Sequence, residues 1–305
     1  MVTGGVIDEE FFGDIRDSAV EEASESLAAK LAEVDGLKTF PVVAQKILAL
    51  LSSRDFQVRE VSNALKEDPS LAAGVLRMAN SAFFAGTKQV STIDQAFVRL
   101  GSRSVQEVVA SVATMDLFPD SGGVGKMIRD HCAATAAIGK FLANEFSAKH
   151  SEGIFLAGLM HDVGKMLLIE SGEIDYASES IDAMKPDFSY QEERSLLGYD
   201  HAVLGAHVLT KWKLPSPIPT IVAWHHQPER AFRDGNLAPY VALLRVADRV
   251  DSIVRGPSKD KTEAMLDRLA EGPECAKVWI TADDLKEHYE TMIGLRQSAL
   301  EMFGG

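Results

Sequence analysis

Ala157-Gly158-Leu159-Met160-His161-Asp162-Val163-Gly164-Lys165 is an apolar run that ends on an adjacent histidine and aspartate, followed by a glycine and a lysine. A neutral imidazole beside a carboxylate, at the polar end of a segment that otherwise favours burial, suits a divalent metal better than it suits packing. Neighbouring side chains on a helix diverge by about 100°, so both reach one ion only near a helix end or a bend, and Gly164 is the expected bend. Lys165 then lies either within reach of whatever an ion there binds or on the surface.

Four other places supply matching side chains. His131 heads a helical stripe of Ala134, Ala137, Ile138, Phe141 and Leu142, which turns it inward. The stripe of His201, Leu204, Gly205, Val208 and Trp212 likewise turns His201 inward and rotates His207 off the face. An apolar segment leads into His225-His226; two consecutive buried imidazoles each need a partner, which favours a ligand role for at least one. Asp248 follows Val241, Leu244 and Ala247, where a lone carboxylate is expensive to desolvate, so it must face a cation, a donor or water. Asp251, one turn on, is expected to be solvated.

The rest of the chain reads as helices and the breaks between them. Residues 14–34 form an acidic amphipathic pattern, with Ile15, Val20, Ala23, Leu27 and Leu31 on one face, closed by Gly36. Thr39 and Pro41 mark a helix start, and Asp68-Pro69 supplies a cap followed by a first-turn proline. Ser91 with Asp94, and Ser104 with Glu107, fit the capping-box spacing, and the first of those helices should stop at Gly101. No alternating strand pattern and no hairpin signal occurs, so the expected fold class is all-α. Residues 119–125 hold a proline, a serine and three glycines and make the best linker. The expected divisions are therefore an acidic N-terminal helix over 1–36, a helical part over 37–118, a site-bearing bundle over 119–255 and a charged helical tail over 256–305. The tail carries no site-forming cluster and reads as scaffold or interaction surface.

Composition narrows the function classes. The 305 residues are 46% hydrophobic and 25% charged, as in an ordinary globular protein that folds without staples. Cys132 and Cys275 form no CxxC or zinc-finger spacing, which fits a reducing, cytoplasmic setting. No signal-peptide pattern and no apolar run near the roughly 18 residues of a membrane span is found, so no membrane partner is expected. A net charge of −14 argues against nucleic acid. Small anionic ligands remain open, because bound cations reverse the local potential of a site in an acidic protein.

The order His131, His161-Asp162 with Gly164-Lys165, His201, His225-His226 and Asp248 resembles the HD superfamily of metal-dependent phosphohydrolases. Further phrases are similar to the HDOD family, the HD-related output domain of bacterial signalling proteins. They are Phe40-Pro41, Asp68-Pro69-Ser70-Leu71, Val75-Leu76-Arg77-Met78-Ala79-Asn80-Ser81-Ala82-Phe83-Phe84, Ile93-Asp94-Gln95-Ala96, Leu100-Gly101, Trp212-Lys213-Leu214-Pro215 and His225-His226-Gln227-Pro228. The resemblance spans roughly residues 30–250 and rests on many phrases in one order.

It implies an N-terminal helical subdomain packed on an HD-like helical bundle, and a regulatory protein acting through signalling partners. It also implies that His131, His161, Asp162, His201, His225, His226 and Asp248 hold one or two divalent ions, since all match positions that bind two metals in the related HD-GYP phosphodiesterases. Lys165 matches the lysine of their HD-x-G-K phrase. The Gly-Tyr-Pro phrase is missing after His226, where Gln227-Pro228-Glu229-Arg230 stands instead. Two functions are therefore expected: a signalling output module with a metal site, or a metal-dependent phosphohydrolase in which Asp162 bridges two ions and Lys165 stabilises the charge of a small phosphorylated ligand. Iron or manganese suits such a site best, and zinc or nickel is compatible with the same donors.

Overall fold

In a computed structural model of the chain, residue 29 and residues 39–303 are described, apart from 54, 82, 85–87, 119–122, 177–188 and 257–258. The acidic pattern over 14–34 lies outside the described residues but for residue 29. Among the described residues there is no strand, so the protein is all-α. No helix among them is long and apolar enough to cross a membrane.

Four helices open the described chain: α1 Val42–Leu51, α2 Val58–Leu65, α3 Pro69–Ala79 and α4 Ile93–Leu117. Asp68 caps α3 as its sequence predicts, accepting from the Leu71 N–H at 3.0 Å with Pro69 in the first turn. The cap of α4 falls one residue later than the spacing suggests. Thr92 accepts from the Gln95 N–H at 3.2 Å, while the Gln95 side chain accepts from the Ser91 N–H at 2.8 Å. Gly101 does break α4, with φ of 76°, a left-handed conformation that costs glycine little. The expected second capping box does not form, because Glu107 is buried and serves another helix. It accepts from the Leu156 N–H at 3.2 Å and faces the Lys140 ammonium at 3.5 Å.

The central element is α5, Gly123–Phe146. It begins earlier than His131, so Gly123 and Gly125, expected in a linker, belong to its first turns; Val124 and the fully buried Ile128 pull that segment onto the core. After it come α6 Ile154–Met160, α7 Val163–Ser171, α8 Ser189–Leu197, α9 His201–Lys211, α10 Ile218–Trp224, α11 Pro228–Ala231 and α12 Ala238–Val254. The chain closes with α13 Lys259–Ala270, α14 Pro273–Val278, α15 Ala282–Glu287 and α16 Tyr289–Phe303. Helix α5 packs against α6, α12 and α16, while α9 packs on α7 and α10, and α14 on α12.

One buried apolar cluster runs from Phe40 to Phe303. The N-terminal helices are seated on the bundle by aromatic contacts: Phe83 and Phe84 lie 5.7 and 5.2 Å from Phe155, and Phe40 lies 5.4 Å from Trp212. Each such fully buried ring contributes roughly 1.5–3 kcal/mol.

Candidate metal centre

The centre is built at the junction of α6 and α7. Helix α6 is buried throughout and ends at Met160; His161 keeps helical angles, and Asp162, at φ −104° and ψ 14°, turns the chain before α7 starts at Val163. The bend that lets both side chains face one point is therefore at Asp162 itself, not at Gly164. Gly164 has a different task. A Cβ there would lie 2.0 Å from the His201 carbonyl oxygen, so only a glycine lets α7 touch the first residue of α9. Gly158 does the same against α5, where a Cβ would lie 2.7 Å from Ala136 Cα. These two contacts bring His161 and Asp162 between His131 on one side and His201 on the other.

All seven predicted ligand residues converge. The donor atoms of His131, His161 and Asp248 lie within 4.8 Å of one another, and so do those of Asp162, His201, His225 and His226. Opposed ligands on an ion with bonds of about 2.0–2.2 Å stand some 4–4.4 Å apart, so each group is of cation size. Asp162 faces both groups. Its Oδ1 is 3.1 Å from His201 Nε2 and 3.9 Å from His225 Nε2; its Oδ2 is 3.4 Å from His161 Nε2 and 4.0 Å from His131 Nε2. Lys165, rather than sitting on the surface, is buried with Nζ 2.8 Å from Asp162 Oδ2.

The outer nitrogens of four imidazoles are committed elsewhere. His161 and His225 donate Nδ1–H to the carbonyls of Gly158 at 2.7 Å and Val222 at 2.6 Å, which leaves the Nε2 lone pairs turned inward. His131 Nδ1 donates to Asp251 at 2.7 Å and His201 Nδ1 to Glu193 at 2.6 Å. Such outer partners fix the tautomer and aim the free nitrogen at a metal. His226 stacks on Tyr190 with centroids 4.6 Å apart and brings Nε2 to 3.0 Å from His201 Nε2. Three buried atoms at the centre, Asp162 Oδ1, His225 Nε2 and Asp248 Oδ1, have no hydrogen-bond partner. His131 Nε2 is 3.1 Å from Asp248 Oδ1, but not in line for a hydrogen bond. Leaving one buried acceptor unmet costs about 1–3 kcal/mol, and three gathered in one place fit a divalent cation as their common partner.

Residues 37–228 match the HDOD domain family. The chain belongs to that family. An uncharacterized protein of Treponema pallidum is 23% identical to this HDOD chain over 215 residues, which are 69% of the chain and 42% of the relative, so the chain spans less than half of that relative's length. Among solved structures, a candidate phosphohydrolase from Shewanella amazonensis SB2B matches with a TM-score of 0.70 at 25% identity, covering 90% of this chain and 98% of its own. An HDOD domain protein of unknown function from Geobacter sulfurreducens matches with a TM-score of 0.68 at 22% identity, covering 93% and 99%.

The electrostatics of the HDOD centre divide its histidines. Burial drives His161, His225 and His226 below the ordinary imidazole value, so they are neutral donors. Burial also opposes charge on His131, but Asp248 and Asp251 hold it up at about 9; for His201 burial is outweighed in the same way by Glu193 and Asp162, again at about 9. Burial likewise opposes ionisation of Asp162, yet His161, Lys165 and His201 hold it well below the usual carboxylate range.

Sequence reasoning missed the outer partners. Asp251, expected in solvent, is wholly buried and is also held by Arg255 at 2.8 Å and Arg296 at 2.9 Å. Its signal was available, since it lies three residues after Asp248 on the same helix face. Glu193 is also wholly buried, accepting from the His201 N–H and, through its other oxygen, from the Tyr176 hydroxyl at 2.7 Å. Arg296 and Glu274 lie in the stretch read as carrying no site-forming cluster, and both reach toward the centre. Glu274 accepts from Arg245 Nε at 2.7 Å, and Arg245 donates to the His225 carbonyl.

Proposed function

We propose that this HDOD chain is a bacterial signalling output module whose HD-like core holds one or two divalent cations and whose input and output pass through protein partners. The supporting observation is the set of three partnerless buried atoms, Asp162 Oδ1, His225 Nε2 and Asp248 Oδ1, within one donor cluster. His131, His161 and Asp248 would hold one ion and His201, His225 and His226 the other, with Asp162 shared between them. Iron or manganese is the proposed metal, on the mixed imidazole and carboxylate donors. The regulatory reading is favoured by the burial of every ligand side chain and by the missing Gly-Tyr-Pro phrase. Lys165 in this reading neutralises the excess carboxylate charge of the centre.

A second reading, a metal-dependent phosphohydrolase or phosphodiesterase acting on a nucleotide or another phosphoester, is favoured by Lys165. Its ammonium is fixed beside the shared carboxylate, where it would meet phosphate charge. A divalent ion bound at this centre supplies Lewis acidity toward a phosphoryl oxygen and acidifies water. Protein loaded with iron or manganese and assayed against nucleotides, cyclic dinucleotides and a generic phosphodiester separates the two. Metal retained without turnover above an Asp162→Ala control is the regulatory outcome; turnover lost in that control is the hydrolytic one.

A further inference from the structure

The C-terminal helices α14 and α16 lie beyond residues 37–228, the stretch that the family covers, yet two chains of polar contacts run from them to the ligand cluster. The first starts at Arg296 on α16, whose Nε donates to Asp251 Oδ1 at 2.9 Å, while Asp251 Oδ2 accepts from His131 Nδ1 at 2.7 Å. The second starts at Glu274 on α14, which accepts from Arg245 Nε at 2.7 Å, while Arg245 donates to the carbonyl of His225. One chain ends on a member of the group His131, His161 and Asp248, the other on a member of the group Asp162, His201, His225 and His226. The links are buried: Asp251 has no exposure, and Arg245 and Glu274 are less than a tenth exposed. Helix α16 also packs along α5, the helix that carries His131, and α14 packs on α12, which carries Asp248.

Resting on the metal reading above, we propose that Arg296 and Glu274 are positioning residues of the metal centre, so that metal loading and the docking of the C-terminal helices are thermodynamically coupled. The physical basis differs between the two chains: Asp251, bonded to His131 Nδ1, holds that ring in rotation and aims its Nε2, whereas Arg245 holds the backbone of His225 through its carbonyl and so fixes where that ring starts. Asp251 itself is held by Arg255 on its own helix and by Arg296 from outside; only the second contact depends on where α16 lies. Coupling is reciprocal: an ion that fixes His131 also fixes Asp251 and Arg296, and so tightens α16 on α5. The C-terminal helices are then the part of the molecule in which the state of the metal is expressed toward a partner.

The test uses the full chain and cobalt(II), whose visible absorption reports ligand geometry. Arg296→Gln, which acts on His131 through Asp251, is expected to weaken cobalt binding about tenfold, and Glu274→Leu, which leaves Arg245 without its acceptor, is expected to weaken it by a smaller factor. Arg296→Lys, which keeps a charged donor of similar reach to Asp251, should recover much of the loss, and Gln297→Ala, on an exposed neighbour, should match the natural chain. Circular dichroism of the metal-free variants checks that they are folded. Hydrogen exchange in α16 should slow on adding cobalt in the natural chain, and the slowing should vanish in Arg296→Gln. Natural chain that binds cobalt with unchanged α16 exchange, and an Arg296→Gln variant of equal affinity and identical spectrum, would overturn the coupling while leaving the metal site intact. Failure of the natural chain itself to bind cobalt would overturn the metal reading instead, and the coupling with it. If Arg296→Gln does not fold, the exchange measurement on the natural chain still decides.

Discussion

Asp162 is the residue on which the two donor groups meet, and its charge is balanced by His201 and Lys165 inside the protein. Asp162→Ala is expected to abolish metal uptake, read by elemental analysis. It should also destabilise the metal-free protein by about 3–5 kcal/mol in denaturant unfolding, because Lys165 is left buried without its carboxylate. The two histidines near 9 give a pH prediction. A protonated imidazole cannot bind metal, so each proton displaced from His131 and His201 changes affinity about tenfold per pH unit below pH 9. Metal uptake at pH 7 should therefore release protons and weaken steeply toward pH 6, as titration calorimetry in buffers of different ionisation enthalpy would show. For the metal-free fold the sign is reversed. Both imidazoles have folded values above the ordinary 6.5, so their stabilising contribution is complete below that value and is lost as pH rises through about 9. The convergence of the donor side chains was legible in the sequence, since helical phase turns His131 and His201 inward and puts Asp248 in an apolar run. Glu193 was not, because only the fold brings it to His201.

At the scale of elements, the site depends on two helix crossings closer than side chains permit. Gly164 and Gly158 set these distances, and the interhelical break at Asp162 directs adjacent side chains to a common point. Gly164→Ala would place a methyl group against the His201 carbonyl, which is backbone and cannot rotate away. A loss of about 3 kcal/mol, at the upper end for overpacking, together with weakened metal binding is expected from thermal unfolding and metal titration. By contrast Gly172→Ala, in the open at the end of α7, should cost only the left-handed strain of about 1 kcal/mol and spare metal binding. Sequence periodicity found these helices but not their contacts. Ser91 and Thr92 both suit the α4 cap, so spacing alone does not choose between them, and Glu107 fits a local box in sequence because the partner it takes, the start of α6, is 49 residues away.

At the scale of the molecule, one apolar cluster among the described residues ties the N-terminal helices, the bundle and the C-terminal helices together. The all-helical class was legible because nothing in the chain alternates as a strand does. That α14 and α16 reach the centre was not legible, since Arg296 and Glu274 look like surface charges until the helices are packed. A cation bound only by the folded state should stabilise this whole assembly, by about 2.7 kcal/mol when its concentration is a hundredfold above its dissociation constant. Chelation should accordingly lower the unfolding temperature, and restoring manganese or iron should return it. The most direct test of the account is elemental analysis of the chain purified without chelators, beside Asp162→Ala and His225→Ala. One or two divalent ions per natural chain, none in the first variant and fewer in the second, is the predicted result. Folded natural chain that retains no metal and takes up none from saturating iron, manganese or zinc would contradict it.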